Sequence, residues 1–514
     1  MAYERPGVYV QEGTFATNIA QNNGPTTAAF LGTAERGPIT PVLITNWATY
    51  KALFGDLDIA YDLGYAVYHY FANGGQAAYV TRVADGAAVV ATSALTGTPA
   101  GGSLTNLVLL NAKSAGAWGN TLTTNFTFQS ETLTTPTSAP KATIDSLFTV
   151  SVSLDGTVVE NWSGLSLNPQ NNRYVATVLN TYSSYVTSAS VATVASGVAI
   201  TVTGLAVGDM DAATAFSSGS NGSAVDSTDW QNTLARYETI VPGLLFNLVG
   251  QTSSTIVNNA LSVMATRGNS FLIIDCPLAA TTKQALADAV EPYTKSGYGA
   301  VYGPGLKMFD PTKTGSAAVR DTFPGGAVAG AFVRSETLRG IAKAPAGYGL
   351  DLRNVYGLLA NLTETEQGTL YKENQLNLFT LVPGVGVIIN GSRTQARNTS
   401  DKFVSVRRSL NYLKDVLKAS TADALFEPND YRLYENLTVR ISALLTTFWG
   451  TGGLKGSTSQ EAFFVNCSAD NNTTMDIENG IVNIEVGVAL QSPAEFIVIT
   501  ISQWTGGSTV TTTA

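Results

Sequence analysis

The sequence contains few of the side chains from which catalytic and metal sites are built. Its 514 residues include one histidine, His69, and two cysteines, Cys276 and Cys467. Zinc sites need several Cys or His ligands at short spacing, and this sequence has no such group. A Ser-His-Asp or Cys-His catalytic group would have to use His69, which lies in an apolar run typical of a packed or surface helix. We therefore expect no enzyme activity, no metal and no cofactor, and two buried free thiols.

Charged residues are also scarce. They make up 13% of the chain, against about 25% in typical soluble domains. The net charge is −9, which poorly suits a protein that neutralises phosphates, so we expect no direct contact with nucleic acid. A surface with so little charge meets water through Ser, Thr, Asn and Gly, or it is covered by other copies of the same chain. We favour the second explanation.

The sequence lacks an uninterrupted apolar stretch and the basic start of a secretory signal. Residues 174–208 carry no charge, but Ser and Thr recur throughout them. Residues 484–501 are mainly apolar but are interrupted by Gln491, Pro493 and Glu495. Neither segment has the ~20 mainly apolar residues of a membrane span, so we expect no membrane insertion.

The composition changes sharply near residue 87. Residues 87–235 contain three basic and eight acidic residues and are rich in Thr, Ser, Ala and Val. Polar and apolar residues alternate in 148–154 and again in 199–203, which predicts strands with one face in water. We interpret 87–235 as a β-rich surface domain that is inserted into another domain.

The residues after this insertion alternate between short apolar runs and helical patterns. The runs 244–249, 271–276 and 298–302 predict strands that are buried on both faces. The segments 254–267 and 281–295 have helical spacing. This alternation predicts an α/β layer with a mixed or parallel sheet.

Two amphipathic helices are predicted in the last third of the chain, at about 403–418 and about 430–449. The apolar positions of the first helix are expected to face the core, namely Val406, Leu410, Leu413 and Leu417. Its basic positions are expected on a solvated opposite face that could instead meet an acidic partner, namely Arg407, Arg408, Lys414 and Lys418. The glycine-rich residues 450–453 end the second helix.

Each end of the chain has a strand-like segment without a local partner. Residues 6–12 precede a polar stretch, and the β-branched run 496–501 precedes a Gly-Ser-Thr tail. Lone strands are marginal in water and need a sheet edge. That edge belongs either to the chain's own sheet or to a neighbouring molecule.

Short motifs follow one another in a specific order along the whole chain. The first are Pro-Gly-Val-Tyr-Val-Gln-Glu at 6–12, Ala-Phe-Leu-Gly-Thr-Ala-Glu-Arg-Gly-Pro at 29–38, Phe-Ala-Asn-Gly-Gly at 71–75 and Gly-Ala-Trp-Gly-Asn at 116–120. The later ones are Phe-Pro-Gly-Gly at 323–326, Lys-Ala-Pro-Ala at 343–346, Asn-Gly-Ser-Arg-Thr at 390–394, Phe-Glu-Pro-Asn at 426–429, Gly-Leu-Lys-Gly at 453–456 and Ser-Pro-Ala-Glu-Phe at 492–496. In this order they resemble the contractile tail sheath proteins of tailed bacteriophages and related contractile injection systems. The insertion is the least matched part.

The resemblance implies an α/β (α+β) multidomain fold. A sheath core of mixed sheet flanked by helices is expected to carry an inserted β-rich outer domain and extended terminal strand arms. The implied limits are 1–24 for the N-terminal arm, 25–86 and 236–491 for the core (with a helical and β part from about 350), 87–235 for the insertion, and 492–514 for the C-terminal strand and tail.

The resemblance also implies a function. The chain would be a late virion structural protein that polymerises with itself in hexameric layers, stacked helically around the tail tube, and contracts to drive the tube through the bacterial envelope for genome ejection. Made in the host bacterial cytoplasm and placed in the tail sheath, it would also meet the tail tube protein, the baseplate and the tail terminator. The alternatives are a static self-assembling shell or adhesin-type protein, and a large enzyme whose insertion binds carbohydrate.

Two groups of residues are expected to make the contacts between subunits and with the tube. In the related proteins the terminal arms add strands to sheets of neighbouring subunits, which implies this role for Val8, Tyr9, Val10, Gln11, Phe496, Ile497, Val498, Ile499, Thr500 and Ile501. The candidates for facing the tube are Arg407, Arg408, Lys414, Lys418, Arg432 and Arg440.

Overall fold

Strands and helices alternate on either side of a long β-rich stretch. The computed structural model describes residues 26–495 except residues 104, 129–140, 144, 195–197, 199, 203–210, 241 and 399. The strands are β1 (Thr27–Gly32), β2 (Val42–Ile44), β3 (Ala78–Arg82), β4 (Thr92–Pro99), β5 (Thr105–Ala112), β6 (Leu122–Phe128), β7 (Lys141–Ala142), β8 (Phe148–Leu154), β9 (Thr157–Leu165), β10 (Val186–Val191), β11 (Ile200–Val202), β12 (Asp211–Ala215), β13 (Leu244–Leu248), β14 (Phe271–Asp275), β15 (Gly299–Tyr302), β16 (Leu306–Phe309), β17 (Val319–Thr322), β18 (Val355–Leu358), β19 (Leu376–Val382), β20 (Gly386–Asn390), β21 (Phe463–Asn466) and β22 (Glu485–Val488). The helices are α1 (Trp47–Phe54), α2 (Asp62–Ala72), α3 (Val175–Tyr182), α4 (Ser227–Ala235), α5 (Ser254–Arg267), α6 (Lys283–Val290), α7 (Gly325–Arg339), α8 (Glu364–Glu373), α9 (Val404–Ser420), α10 (Tyr431–Gly450), α11 (Ser459–Ala462) and α12 (Thr474–Glu478).

The largest sheet has eight strands in the order β2-β3-β1-β13-β14-β15-β19-β20. The inner strands run parallel to one another, and the edge strands β2 and β20 are antiparallel to their neighbours. Strands β13, β14 and β15 coincide with the three apolar runs after the insertion, and α5 and α6 lie between them. The predicted α/β layer with mixed pairing is therefore confirmed.

Helices cover both faces of this central sheet, which explains why its strands are continuous apolar runs. Leu245 on β13 belongs to one core cluster with Val67 of α2 and Phe332 of α7. The next residue, Phe246, belongs to the cluster on the other face together with Leu261 of α5. Because successive side chains of a strand point to opposite faces, every position of β13 is buried.

The stretch between β3 and α4 forms two antiparallel sheets around a hydrophobic core of its own. The strand orders are β10-β5-β4-β11-β7 and β12-β6-β8-β9, and the shared core contains buried residues from Ala91 to Phe216. Strand β8 confirms the alternation predicted at 148–154, because Phe148, Val150 and Val152 are buried and the residues between them are partly exposed.

Helix α4 bears on the limits of the inserted domain. Its residues Trp230 and Leu234 belong to the cluster that contains Leu244 and Phe246 of the central sheet, not to the core of the insertion. We therefore propose that the inserted domain starts near residue 87 and ends before Ser227.

Helices α9 and α10 pack with β21 and β22 around a further core. Its buried members include Leu413, Val416, Ile441, Leu445, Phe448 and Val488. The two amphipathic helices predicted in this region are confirmed. The carboxylate of Asp430 caps α10, since it accepts hydrogen bonds from the N–H groups of Arg432 at 2.9 Å and Leu433 at 3.1 Å.

The scarce reactive side chains lie in the interior, which confirms the prediction of two buried free thiols. His69 on α2 is 1% exposed, and Cys276 and Cys467 are buried free thiols. Burial raises the pKa of the Cys276 thiol and raises that of Cys467 to about 11. The described residues contain no group of three or more His, Cys, Asp or Glu side chains that could hold a metal ion. Within the same ranges, no helix is long and apolar enough to cross a bilayer.

Candidate assembly site and arm anchors

Helix α9 lies at the amino-terminal ends of the parallel strands of the central sheet. Its polar side chains form hydrogen bonds with the loops that precede these strands. The side-chain amide of Asn411 donates to the carbonyl of Ser270 at 2.9 Å. The carboxylate of Asp415 accepts from the side-chain amide of Asn269 at 2.7 Å. Because Asn269 and Ser270 immediately precede β14, the polar face of α9 is turned toward the sheet edge.

Arg407 and Arg408 lie on this same face of α9 and are 2% and 4% exposed. The prediction that they form an outward, solvated face is therefore wrong. Arg407 forms an ion pair with Asp401, and its guanidinium carbon lies 4.6 Å from the ring centre of Tyr298. The physical reason is that α9 is enclosed on two sides, with its apolar residues against α10 and its polar residues against the central sheet.

The other four residues expected to face the tube differ in exposure. Lys414 is half-buried and donates a hydrogen bond of 3.1 Å to a backbone carbonyl before β14. Lys418 and Arg432 are exposed. Arg440 is half-buried and forms an ion pair with Asp423. A tube-facing role for these four side chains stays a prediction.

An ion pair in the interior holds Thr26, the first described residue. Glu336 on α7 accepts hydrogen bonds from the N–H and the hydroxyl of Thr26, at 3.2 and 3.0 Å. Arg408 donates to Glu336 at 2.7 Å and to the Thr26 hydroxyl at 3.1 Å. The guanidinium carbon of Arg408 lies 4.9 Å from the ring centre of Phe332. The junction of the predicted N-terminal arm with the core is thus bound by α7 and α9 together.

A second ion pair holds Glu495, the last described residue. Arg393 donates to its two carboxylate oxygens at 2.9 and 2.6 Å, and the hydroxyl of Tyr371 donates to one of them. The guanidinium carbon of Arg393 lies 4.0 Å from the ring centre of Tyr371. Burial alone would raise the pKa of Glu495, but the hydrogen bonds from Arg393 and Tyr371 outweigh it and lower that pKa below its usual value.

The sheet of β21 and β22 has free edges within the described ranges. Each strand has the other as its one strand partner. The N–H of Ala489 donates to the carbonyl of Ala462 at 3.0 Å, and hydrogen-bonded positions alternate along an antiparallel pair. The backbone groups of Val486 and Val488 therefore point away from β21. Such an edge can accept an extended segment as a further strand.

The arm residues predicted to make these additions, 8–11 and 496–501, lie outside the described residues, so their role stays a prediction. No sequence motif predicted that Glu336 and Arg408 bind Thr26 or that Tyr371 binds Glu495. Arg393 and Glu495 both stand in the motif blocks at 390–394 and 492–496. Their position in these motifs was the one sequence feature that could have singled them out, but nothing in the sequence indicates that the two motifs meet in the fold.

The fold is similar over nearly its whole length to solved structures of contractile sheath proteins. The PVC sheath complex of an extracellular contractile injection system, in its contracted state, matches with a TM-score of 0.55 and 20% identity, covering 98% of this chain and 99% of that chain. The anti-feeding prophage helical sheath in its contracted state matches with a TM-score of 0.55 and 17% identity, covering 98% and 100%. This chain has the contractile-sheath fold.

One further sheath structure is similar to this chain, and two other comparisons found no match. A sheath tail protein from Listeria innocua matches with a TM-score of 0.60 and 13% identity, covering 91% of this chain and 95% of that chain. No protein-family model and no curated protein matches the sequence. The resemblance that the motifs predicted is therefore confirmed at the level of the contractile-sheath fold, together with the predicted fold class.

Proposed function

We propose that this chain is the structural subunit of a contractile sheath and has no catalytic role. The observation that carries the proposal is the likeness of fold to a contracted sheath along 98% of the chain. Subunits polymerise in hexameric layers, stacked helically around a tail tube, and meet a baseplate and a tail terminator at the two ends. Contraction drives the tube through the bacterial envelope for genome delivery. The subunit is made in the host cytoplasm and resides in the tail sheath of a virion.

Strand exchange links the subunits in this proposal. The N-terminal arm and the run 496–501 leave one subunit and add to sheets of its neighbours, for which the free edge of β22 at the half-buried Val486 is a suitable acceptor. A contact between two different surfaces that does not close into a ring builds a helical filament. Many such links act together, so the lattice holds even where each link is weak.

Contraction in this proposal is the release of a kinetically trapped state. The extended sheath persists until it is triggered, and the subunits then rotate into an arrangement with more mutual contact area. The low charge content of the chain, 13%, supports extensive coverage by neighbouring copies, because burying charge is costly.

Contact with the tube is assigned to the ends of α9 and α10. Arg407 and Arg408 are excluded from this contact, because both are buried and form ion pairs with carboxylates of the same chain. Lys418 and Arg432 are exposed, and with Lys414 and Arg440 they are the remaining basic candidates. Charge reversal of Lys418 and Arg432 together should weaken assembly on tubes; unchanged assembly on tubes would overturn this assignment.

Electron microscopy of the purified chain tests the function. We expect tubular polymers of two lengths and diameters, whereas polymers of one fixed form would favour the static shell. Deletion of residues 1–20, or of 496–514 so that Glu495 is retained, should leave a folded subunit that forms no tubes. Normal tubes from both truncated chains would contradict the strand-exchange account.

A further inference from the structure

The two junctions between arm and core are built alike, although they lie at opposite ends of the chain. Each depends on a buried pair of carboxylate and guanidinium, Glu336–Arg408 at one junction and Glu495–Arg393 at the other. The side-chain exposures are 9% and 4% in the first pair and 13% and 6% in the second. In both pairs the arginine also lies over an aromatic ring. Pairs that are shielded from water in this way hold one geometry, which exposed ion pairs do not.

These pairs connect distant parts of the chain. Glu336 and Arg408 are 72 residues apart, and Arg393 and Glu495 are 102 residues apart. The pair of Arg407 and Asp401 is also built over an aromatic ring, but its residues are only 6 positions apart, so it joins neighbouring parts of the chain. The two distant pairs differ from this local pair in what they hold, namely Thr26 immediately before β1 and Glu495 a few residues after β22, at the junctions with the predicted arms.

We infer that the ion pairs Glu336–Arg408 and Arg393–Glu495 are anchors that fix where each arm leaves the core, and thereby set how far the arm reaches toward a second copy of this chain. The inference rests on the proposed function, in which the arms join neighbouring subunits. Arg408 is then a positioning residue for the N-terminal arm.

How much an arm lengthens when its anchor is lost depends on the next backbone hydrogen bond on the core side of the anchor. Behind Glu495 this is the N–H of Gln491, which donates to the carbonyl of Gly453 at 3.3 Å. Release of Glu495 frees residues 492–495 and lengthens the arm by roughly 13 Å, at about 3.3 Å per residue. A longer tether lowers the effective concentration of the arm at its neighbour. Strand β1 begins at Thr27, so release of Thr26 adds a single residue and should have the smaller effect.

The variant Glu495→Gln tests the C-terminal anchor in the full-length chain. It removes the charge but keeps the shape, and Arg393 keeps its hydrogen bond of 3.2 Å to the carbonyl of Tyr371. Asp401→Asn is the control, because it breaks another largely buried ion pair but leaves Glu336–Arg408 and Arg393–Glu495 in place. Hydrogen exchange of the Gln491 amide, whose N–H is the nearest hydrogen-bonded one before Glu495, and the critical concentration for polymerisation are measured in both variants.

We expect Glu495→Gln to speed exchange at Gln491 by about tenfold and to raise the critical concentration by about threefold or more. The control should change neither. Thr26→Val, which removes the hydroxyl but leaves Glu336–Arg408 intact, should raise the critical concentration less than Glu495→Gln. If Glu495→Gln does not fold, Tyr371→Phe removes one hydrogen bond to Glu495 without leaving a charge unpaired and is expected to act in the same direction.

The inference is overturned if Glu495→Gln folds and polymerises like the unaltered chain, or if it speeds exchange without changing polymerisation. It is also overturned if Asp401→Asn raises the critical concentration as much. Failure of the proposed function has a different signature, since the unaltered chain would then form no tubes. In that case the exchange measurement still reports whether Arg393 holds Glu495.

Discussion

The guanidinium carbon of Arg36 lies 4.4 Å from the ring centre of Tyr185, so an arginine of the sheath core stacks on an aromatic ring of the inserted domain. The same carbon lies 5.6 Å from the ring centre of Trp118, which also belongs to the insertion. Arg36 is 5% exposed. A desolvated contact between a cation and an aromatic ring contributes about 2 kcal/mol. The core and the insertion have separate hydrophobic clusters, and Arg36 is one of the contacts that couple these two units, together with the hydrogen bond that Arg82 donates to the carbonyl of Ala115.

Replacing Arg36 by Met should uncouple these units, since methionine keeps an unbranched apolar stem but has no guanidinium group. We expect calorimetry to resolve two unfolding transitions, with a loss of about 2 kcal/mol from the less stable unit. Arg397→Met is the control, because its side chain is 56% exposed. An identical, single transition in both variants would show that Arg36 does not couple the units.

The elements that could be predicted from the sequence are those whose burial is decided locally. The apolar runs at 244–249 and 271–276 became β13 and β14 because both faces of the sheet are covered, so nearly every position is apolar. The polar exception inside β13, Asn247, is also buried, and its side-chain amide donates to the carbonyl of Ile273 and to Asp275. The helix predicted at 254–267 coincides with α5, because its burial is also decided by the local pattern. Its apolar residues repeat with the helical period, and the left-handed Gly268, with a φ of 72°, ends it.

The pattern of α9 could not reveal what its polar face meets. Arg407 and Arg408 read as a solvated basic face, because amphipathicity distinguishes apolar from polar but not water from a buried carboxylate. The partner of Arg408 is Glu336, 72 residues earlier and on a different helix. Arg393 and Glu495 are likewise paired by the tertiary fold alone. Ion pairs of this kind depend on which elements the chain brings together, and no local spacing encodes that.

His69 makes stability sensitive to acid. It lies on α2 with no hydrogen-bond partner on either ring nitrogen among the described residues. Its pKa is lowered to about 4, mainly by burial and also by Arg320, while Asp310 partly opposes the shift. The unfolded chain has the ordinary histidine pKa of about 6.5. The folded state therefore binds the proton less readily, so stability from this residue is present above about pH 6.5 and is lost as the pH falls toward 4.

We expect this loss to reach roughly 3 kcal/mol, since each pKa unit corresponds to about 1.4 kcal/mol. The free energy of unfolding is compared at pH 7 and pH 4.5 for the unaltered chain and for His69→Phe, which cannot titrate. The variant should lose less stability on acidification. As His69 is the one histidine of the chain, an equal loss in both proteins would mean that the residue is not kept neutral by burial.

Phe426 combines an unfavourable backbone conformation with an exposed ring. Its φ is 68°, and its side chain is 88% exposed. A left-handed conformation costs a residue other than glycine about 1–2 kcal/mol, whereas Asn adopts it more readily. We expect Phe426→Asn to raise the free energy of unfolding by up to about 1 kcal/mol and, if the ring contacts a neighbouring subunit, to raise the critical concentration for polymerisation.

Val439→Asn serves as the comparison, because Val439 is 69% exposed on α10 and has no left-handed conformation to relieve. It should not stabilise the subunit. Chemical denaturation and polymerisation are measured in both variants. A Phe426→Asn subunit that is less stable than the unaltered chain would contradict the expected relief of backbone strain, and polymerisation at the original concentration would contradict an assembly role for this ring.

The free edge of β22 gives a direct test of strand exchange. Because Ala489 donates its N–H to Ala462 across the pair with β21, the N–H of Val486 points to the open side, where an incoming strand would bond to it. Val486→Pro removes that donor and leaves the hydrogen bonds to β21 in place. Proline is tolerated at a strand edge, so the free energy of unfolding of the subunit should change by only about 1 kcal/mol. Tubes should not form.

Glu485→Pro is the contrasting variant, since it removes a donor directed at β21 and should destabilise the subunit itself. Normal tubes from Val486→Pro would mean that the arms of neighbouring subunits pair elsewhere.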